Sequence, residues 1–143
     1  AVLAATVAFV APWEGGVERG VAKPYRDIVG VWTVCYGDTA VPMREYTSAE
    51  CEQMLGTRLG RDLDQLGECI TGPVSTHQMA AILSLAYNAG VPSICRSTLV
   101  RQLNAGQPPQ VWCQQFDRWV FAGGRKVRGL VNRRAAEKEL CLK

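Results

Sequence analysis

Apolar residues recur at helical spacing along most of the chain after residue 46. Between residues 51 and 66 they fall at every third or fourth position, as on one face of a helix. Thr47 and Glu50 precede this run, and a hydroxyl followed three residues later by a carboxylate is typical of a capping box at a helix start. Residues 79–89 are apolar almost throughout and follow a second such pattern. They predict a helix at the buried centre of the domain.

Glycine and proline mark the ends of further helices. Gly90 and Pro92 end the central helix, and Gly106 ends a helix that begins at residues 97–98. Two more helices are predicted over residues 110–121 and 130–140, and they are separated by a pair of glycines.

The N-terminal third has a different pattern. β-forming residues cluster from Ile28 to Tyr36 among several glycines, which predicts a small antiparallel sheet with Asp27 at its first turn. The length of the chain fits one domain. We therefore expect a single domain with a hairpin lobe over residues 13–45 and a helical lobe over residues 46–143.

Residues 1–12 are apolar and uncharged. They are too few to span a bilayer, because a transmembrane helix needs about 20 apolar residues. The segment fits the end of a longer membrane anchor, the core of a signal peptide, or a buried helix.

Charge and cysteine content change the picture in two ways. The net charge is +3, and residues 118–143 hold eight basic residues against two acidic ones. Such an excess favours an anionic partner, such as nucleic acid, a membrane or the cell wall, or else a solvated helix surface. Six cysteines favour an oxidising compartment, since their spacing fits no zinc site. They allow 15 pairings, and spacing alone does not select one.

The residues present argue against several common classes of catalytic site. The single histidine, His77, lies at a predicted helix start, where a surface or capping role is expected. No serine-hydrolase set, metal-ligand cluster or phosphate-binding loop is visible. The remaining candidates are carboxylates near the hairpin: Glu14, Glu18 and Asp27. Two carboxyl groups in different environments are the usual equipment for cutting a glycosidic bond.

The spacing of Glu18, Asp27 and Thr33 resembles the E-x8-D-x5-T triad of the phage-type lysozymes, glycoside hydrolase family 24. Residues 24–39 are also similar to that family. Five further blocks match in order: residues 46–51, 83–90, 95–106, 119–124 and 129–141. The resemblance implies an α+β, lysozyme-like fold, with a small antiparallel hairpin lobe, a mostly helical lobe and a cleft between them.

The resemblance also implies roles. Glu18 would be the general acid, Asp27 would stay ionised and polarise a water, and Thr33 would direct its hydroxyl to that water. One departure concerns the acid, because the family glutamate usually stands before glycine. Glu14 has that context but lies four residues too far from Asp27, so it is the alternative acid if four residues are inserted.

Other matched blocks suggest weaker candidates for substrate binding. Asn88 could instead cap its helix, and a tryptophan at such a position often belongs to the core. Arg133 and Arg134 could hold the hairpin aspartate or meet wall carboxylates, with solvated helix charge as the alternative. The substrate-binding candidates are Tyr87, Asn88, Arg118 and Trp119.

The nearest subclass is the secreted endolysins of lambdoid phages, some of which carry a signal-arrest-release anchor. It implies export to the periplasm, with a transient inner-membrane tether through residues 1–12. It also implies a monomer that acts on peptidoglycan, with no nucleic-acid partner, cofactor or metal. In that context we expect the cysteines to pair consecutively in chain order: Cys35–Cys51, Cys69–Cys95 and Cys113–Cys141.

The expected activity is hydrolysis, and two alternatives compete with it. A lytic transglycosylase would cut the same β-1,4 bond between N-acetylmuramic acid and N-acetylglucosamine without a water-activating pair. A non-catalytic wall-binding module would keep the fold alone. Asp27 with Thr33 favours hydrolysis over the transglycosylase, and the presence of Glu18, Asp27 and Thr33 together favours it over the non-catalytic module.

Overall fold

The computed structural model describes residues 1–143, which form two compact units. One unit is residues 7–58, and the other combines residues 1–6 with residues 59–143. The helices are α1 (Val2–Glu14), α2 (Ser48–Cys69), α3 (Thr76–Ala89), α4 (Val91–Cys95), α5 (Thr98–Asn104), α6 (Pro109–Trp112) and α7 (Arg128–Cys141), with a 3-10 helix at Cys113–Arg118. The strands are β1 (Val21–Ala22), β2 (Tyr25–Arg26), β3 (Trp32–Thr33), β4 (Tyr46–Thr47), β5 (Phe121–Ala122) and β6 (Arg125–Lys126).

The apolar N-terminal segment is helical and belongs to α1. Only Thr6 and Val10 of this helix are buried, so it presents a narrow inward face. The Thr6 hydroxyl donates to the Val2 carbonyl oxygen at 2.7 Å and leaves no unsatisfied polar group on that face. None of the helices combines the length and apolar character that crossing a membrane requires.

The predicted β-hairpin exists, but its strands are shorter than predicted. β2 pairs with β3 in antiparallel register, with Tyr25 opposite Thr33, and residues 28–31 form the turn between them. β1 pairs separately with β4. The prediction of strand from Ile28 onward was wrong because the Asp27 side chain binds the backbone N–H groups of Val29 and Val31, which closes a turn there.

The capping box before α2 is confirmed. Glu50 N donates to Thr47 Oγ1 at 3.2 Å, and Thr47 N donates to Glu50 Oε1 at 3.0 Å. The other end of α2 is closed from a distance by Asn104. Its Oδ1 accepts from Thr71 N and Gly72 N, and its Nδ2 donates to the Cys69 carbonyl oxygen. Both ends of this helix therefore have partners for groups that the helix itself cannot satisfy.

The central helix is also confirmed as the core of its unit. Ser75 and Gln78 form a complete capping box at the start of α3, and residues 80–86 are buried without exception. α3 packs against α7. Gly90 ends α3 as predicted, although α4 follows at once because Pro92 lies in its first turn, where a missing N–H costs nothing.

The helix predicted over residues 110–121 was wrong in its second half. α6 ends at Trp112, a 3-10 helix continues to Arg118, and β5 then pairs with β6. Gly123 and Gly124 both have positive φ, 57° and 77°, and they close the two-residue turn that this pairing needs. The last helix is confirmed as α7.

All three expected disulfides are present. Cys35–Cys51 lies within residues 7–58 and fastens the turn after β3 to α2. The other two bonds lie in the second unit, where Cys69 pairs with Cys95 and Cys113 with Cys141. No cysteine is free.

Candidate active site

Asp27 is held by its own turn. Its Oδ1 accepts two backbone hydrogen bonds, from Val29 N at 3.0 Å and from Val31 N at 2.8 Å. The backbone around it is closed by bonds from Asp27 N to the Val31 carbonyl and from Gly30 N to the Asp27 carbonyl. One carboxylate oxygen is thus used to fix the side chain, and the other can face a reactant.

Thr33 is connected to the same turn through a single residue. Its Oγ1 donates to the Val31 carbonyl oxygen at 3.0 Å, while Val31 N donates to Asp27. With its proton committed to a carbonyl, the hydroxyl keeps its lone pairs for accepting a hydrogen bond. Thr33 is buried, in contrast to its exposed strand neighbour Trp32. Asp27 and Thr33 are therefore connected through the backbone of Val31.

The two candidate acids lie in different local structures. Glu14 is the last residue of α1 and is half-buried. Glu18 is exposed and opens a tight turn, in which Glu18 N donates to the Val21 carbonyl at 2.9 Å and Val21 N donates back at 3.0 Å. Arg19 and Gly20, the two central residues of this turn, have positive φ. Residues 18–21 therefore form a self-closed loop between α1 and the strands.

Gly16 lies between these glutamates and against the turn that follows Thr33. Its φ is +88°, and a Cβ at this position would collide with the carbonyl oxygen of Cys35. Cys35 is itself buried and has φ of 58°, a conformation that residues with a side chain rarely adopt. The chain leaving α1 thus passes in close contact with the segment carrying Thr33, which only glycine permits.

A groove of about 700 Å³ opens beside this contact. Its lining combines charges of both signs with one aromatic ring, a composition suited to a polar polymer such as a saccharide. The lining residues are Gly16, Glu18, Arg19, Val21, Lys23, Tyr25 and Glu45.

The second unit contains a buried ionic cluster centred on Glu137. This carboxylate is fully buried and meets Arg134 through Nε at 2.6 Å and Nη2 at 3.0 Å. Ser84 Oγ donates to it at 2.5 Å, and Arg133 Nε lies 3.5 Å away. Burial raises the pKa of Glu137, while Arg134, Ser84 and Arg133 act in the opposite direction. The solvated-helix alternative for Arg133 and Arg134 is therefore wrong, because both are buried.

Arg134 joins two of the predicted substrate-binding residues. Its Nη1 donates to Asn88 Oδ1 at 2.9 Å and to the Trp119 carbonyl oxygen at 3.4 Å. Asn88 is exposed. The hydrogen bond from Arg134 fixes the orientation of its side-chain amide, because Oδ1 is the acceptor. Nδ2 is then left as a donor for a ligand.

The remaining predicted residues are less constrained. Tyr87 is half-buried beside Asn88, whereas Arg118 is exposed at the end of the 3-10 helix. His77 is exposed in the first turn of α3, as expected for a surface residue. No group of side chains forms a metal-binding cluster.

Glu137 is the residue of this region that sequence reasoning missed. Two arginines three and four residues before a glutamate place all three on one helix face. That spacing is equally common on exposed helices, so only the burial of the face distinguishes a structural cluster from solvated charge.

Comparison with known proteins assigns the chain to a family. The pattern of the phage lysozyme family matches residues 13–137. The SAR-endolysin of Enterobacteria phage P21 is 39% identical over 130 residues, which cover 89% of this chain and 78% of the relative. The SAR-endolysin of Escherichia phage Mu is 40% identical over 123 residues, covering 85% and 71%.

Solved structures agree with this assignment. The muramidase domain of SpmX from Asticaccaulis excentricus has a TM-score of 0.83 at 25% identity, covering 97% of this chain and 95% of that domain. A P22 lysozyme variant has a TM-score of 0.82 at 27% identity, covering 96% and 95%. The expected lysozyme-like α+β fold is confirmed. Family match, relatives and fold together show that this chain belongs to the phage lysozyme family and is a lysozyme of the endolysin type.

Proposed function

We propose that this endolysin hydrolyses the β-1,4 bond between N-acetylmuramic acid and N-acetylglucosamine of peptidoglycan, with inversion at the anomeric carbon. The turn that links Asp27 to Thr33 through Val31 carries the proposal. It offers one carboxylate oxygen and one hydroxyl from neighbouring positions, which is what a single attacking water needs. Inversion requires room for that water, so the acid should lie roughly 6.5–9.5 Å from the Asp27 carboxylate.

We assign the general acid to Glu14 rather than to Glu18. The family glutamate usually stands before a glycine, and Glu14 precedes Gly15 whereas Glu18 precedes Arg19. Glu14 is the last residue of α1. The self-closed turn at residues 18–21 has the length of the four-residue insertion that would bring Glu14 into the family pattern. Glu18 remains the alternative that the triad spacing supports.

Sugar binding is proposed for the outward-facing candidates of the second unit. Asn88 presents its amide while Arg134 fixes it, and the same guanidinium binds the backbone at Trp119. Tyr87 and Arg118 complete the proposed set. We also propose that the protein acts as a monomer in the periplasm after export, first tethered at the inner membrane through residues 1–12, by analogy with its SAR-endolysin relatives. Recovery of the active protein from the cytoplasm of expressing cells would contradict this location.

The acid is identified by a matched pair of variants. Lysis of outer-membrane-permeabilised cells is measured for Glu14→Gln and Glu18→Gln, together with binding to purified sacculi. We expect Glu14→Gln to lower activity by about 10²–10⁴-fold with binding retained, because one proton donor is lost. Glu18→Gln should keep activity within a few-fold of the parent. The opposite ranking would assign the acid to Glu18.

The products distinguish the proposed reaction from its alternatives. Hydrolysis leaves a reducing sugar at each cut, and inversion makes its α-anomer the first product. Anhydro ends would instead identify a lytic transglycosylase. Binding to sacculi without new ends of either kind would identify a non-catalytic module.

A further inference from the structure

The β5–β6 hairpin is an exposed, ordered element that the proposed reaction does not use. Phe121 pairs with Lys126 and Ala122 with Arg125, and Val127 N donates to the Val120 carbonyl at 2.9 Å, which extends the ladder. The two-residue glycine turn matches the natural twist of the strands. The side chains of the hairpin are therefore presented in a fixed arrangement.

Its charge is entirely positive. Arg125, Lys126 and Arg128 are exposed, and their side chains make no ion pair or hydrogen bond with the rest of the chain. No acidic residue lies between Asp117 and Glu137 in the sequence. The Asp117 carboxylate is occupied by Lys138 Nζ at 2.7 Å, so it does not neutralise the hairpin. We call Phe121, Arg125 and Lys126, together with Arg128 at the start of α7, the basic hairpin.

An exposed aromatic ring accompanies these cations. The Phe121 residue is 60% exposed. Single exposed apolar residues are common on protein surfaces, so the significance of this ring depends on the cations beside it. Directly opposite residues of an antiparallel pair share one face, so Phe121 and Lys126 project from the same side of the hairpin, whereas Arg125, opposite Ala122, projects from the other side. This combination of a ring with adjacent cations is typical of segments that bind at the boundary between lipid headgroups and acyl chains.

We propose that the basic hairpin binds the surface of an anionic phospholipid bilayer. Cations on one short hairpin match the dense array of phosphates that such a surface presents, and Phe121 can enter the interface between them. Stem peptides of peptidoglycan offer carboxylates on separate flexible chains and give the exposed ring nothing apolar to enter. Charge complementarity together with Phe121 therefore favours lipid over the wall polymer. This proposal does not depend on the hydrolytic reaction.

Co-sedimentation with vesicles tests it. The probes are vesicles of phosphatidylglycerol with phosphatidylcholine, vesicles of phosphatidylcholine alone, and purified sacculi. The test variant is Arg125→Gln with Lys126→Gln. The control is Arg61→Gln with Lys143→Gln, which removes the same charge from exposed positions elsewhere. Thermal unfolding confirms that each variant is folded.

We expect binding only to the vesicles containing phosphatidylglycerol, weakened by added salt. Each removed cation should lower it about fivefold, so the hairpin pair should lose about 25-fold. The control pair should lose much less, and Phe121→Ser should weaken binding without changing charge. If the hairpin variant and the control variant lost vesicle binding equally, the binding would depend only on net charge, and the proposal would be overturned. Binding that ignores phosphatidylglycerol, or a loss seen on sacculi alone, would overturn it too.

Discussion

Gly16 shows how one residue constrains the candidate site. Its neighbour Gly15 also has positive φ, 66° against 88°, but only at Gly16 would a side chain meet another part of the chain. The obstacle is the Cys35 carbonyl, which is backbone and cannot move aside cheaply. A side chain at Gly15 would therefore cost only the strain of a left-handed backbone. A side chain at Gly16 would cost the same strain and also a collision with the Cys35 carbonyl.

Alanine at each glycine measures these two costs. Gly15→Ala should lower the free energy of unfolding by about 1–2 kcal/mol, because an L-residue is strained at positive φ. Gly16→Ala should lose about 1–3 kcal/mol more from overpacking, and should lose lytic activity as well. Urea unfolding of both variants provides the comparison. Equal losses would mean that the segment shifts freely and that the close contact is unimportant.

At the scale of single residues, the sequence predicts what local chemistry encodes. The Asp27 turn follows from residues close together in the sequence, because the Asp27 side chain binds the backbone of Val29 and Val31. Triad spacing ranked Glu18 above Glu14, but spacing does not show that residues 18–21 close upon themselves. Glu137 was missed since its environment is created by α3, a helix about 50 residues away in the chain.

At the scale of elements, the ends of helices were predicted better than the extents of strands. The Thr47–Glu50 capping box depends on four consecutive residues and forms as expected. Strand β3 stops at two residues because a side-chain hydrogen bond at Asp27 outweighs the β-propensity of the valines beside it. The pairing of β5 with β6 depends on the Gly123–Gly124 turn, which the sequence analysis interpreted as a break between two helices.

The Thr47–Glu50 box gives a pH-dependent prediction. Hydrogen bonds from Thr47 and from Arg44 lower the pKa of Glu50 below its ordinary value of 4.5. A carboxyl with a lowered folded-state pKa contributes stability above its unfolded pKa, and this contribution is lost as the pH falls through the folded pKa.

Glu50→Gln should therefore lower the Tm slightly at neutral pH, because the charge is lost while the glutamine oxygen can still accept from Thr47 N. The difference from the parent should shrink as the pH falls below 4.5, when the parent also loses the charge. Melting curves between pH 3 and pH 7 measure it, at roughly half-unit steps. Glu68→Gln on the same helix is the control and should show no such loss. A difference that is constant with pH would contradict the assignment.

At the scale of the whole molecule, the family resemblance predicted more than periodicity did. It correctly implied a lysozyme-like fold. The three disulfides were expected from the order of the cysteines along the chain, and all three are present. Periodicity alone gave the order of the main helices. The division into residues 7–58 and the rest was not visible, because its boundaries fall inside helices rather than in linkers.

The Cys35–Cys51 and Cys113–Cys141 disulfides should contribute similarly to stability but differently to activity. Loss of Cys35–Cys51, as the double serine variant, should lower the free energy of unfolding by about 3 kcal/mol, because the bond closes 16 residues. Loss of Cys113–Cys141, which closes 28 residues, should cost a similar amount.

Activity should separate the two variants. Cys35 lies two residues after Thr33, so the first variant should lose lytic activity at temperatures where it is still folded. The second should keep most of it under the same conditions. Parallel loss of activity and stability in both would show that the Cys35–Cys51 bond has no particular connection to the site.

Helix α2 continues unbroken from Ser48 to Cys69, through the point where one unit ends at residue 58 and the other begins at residue 59. A cut there would sever a hydrogen-bonded ladder in mid-course, so neither fragment should be expressible as a stable piece. Chimeras between phage enzymes are better joined within residues 70–74, where the chain is already irregular.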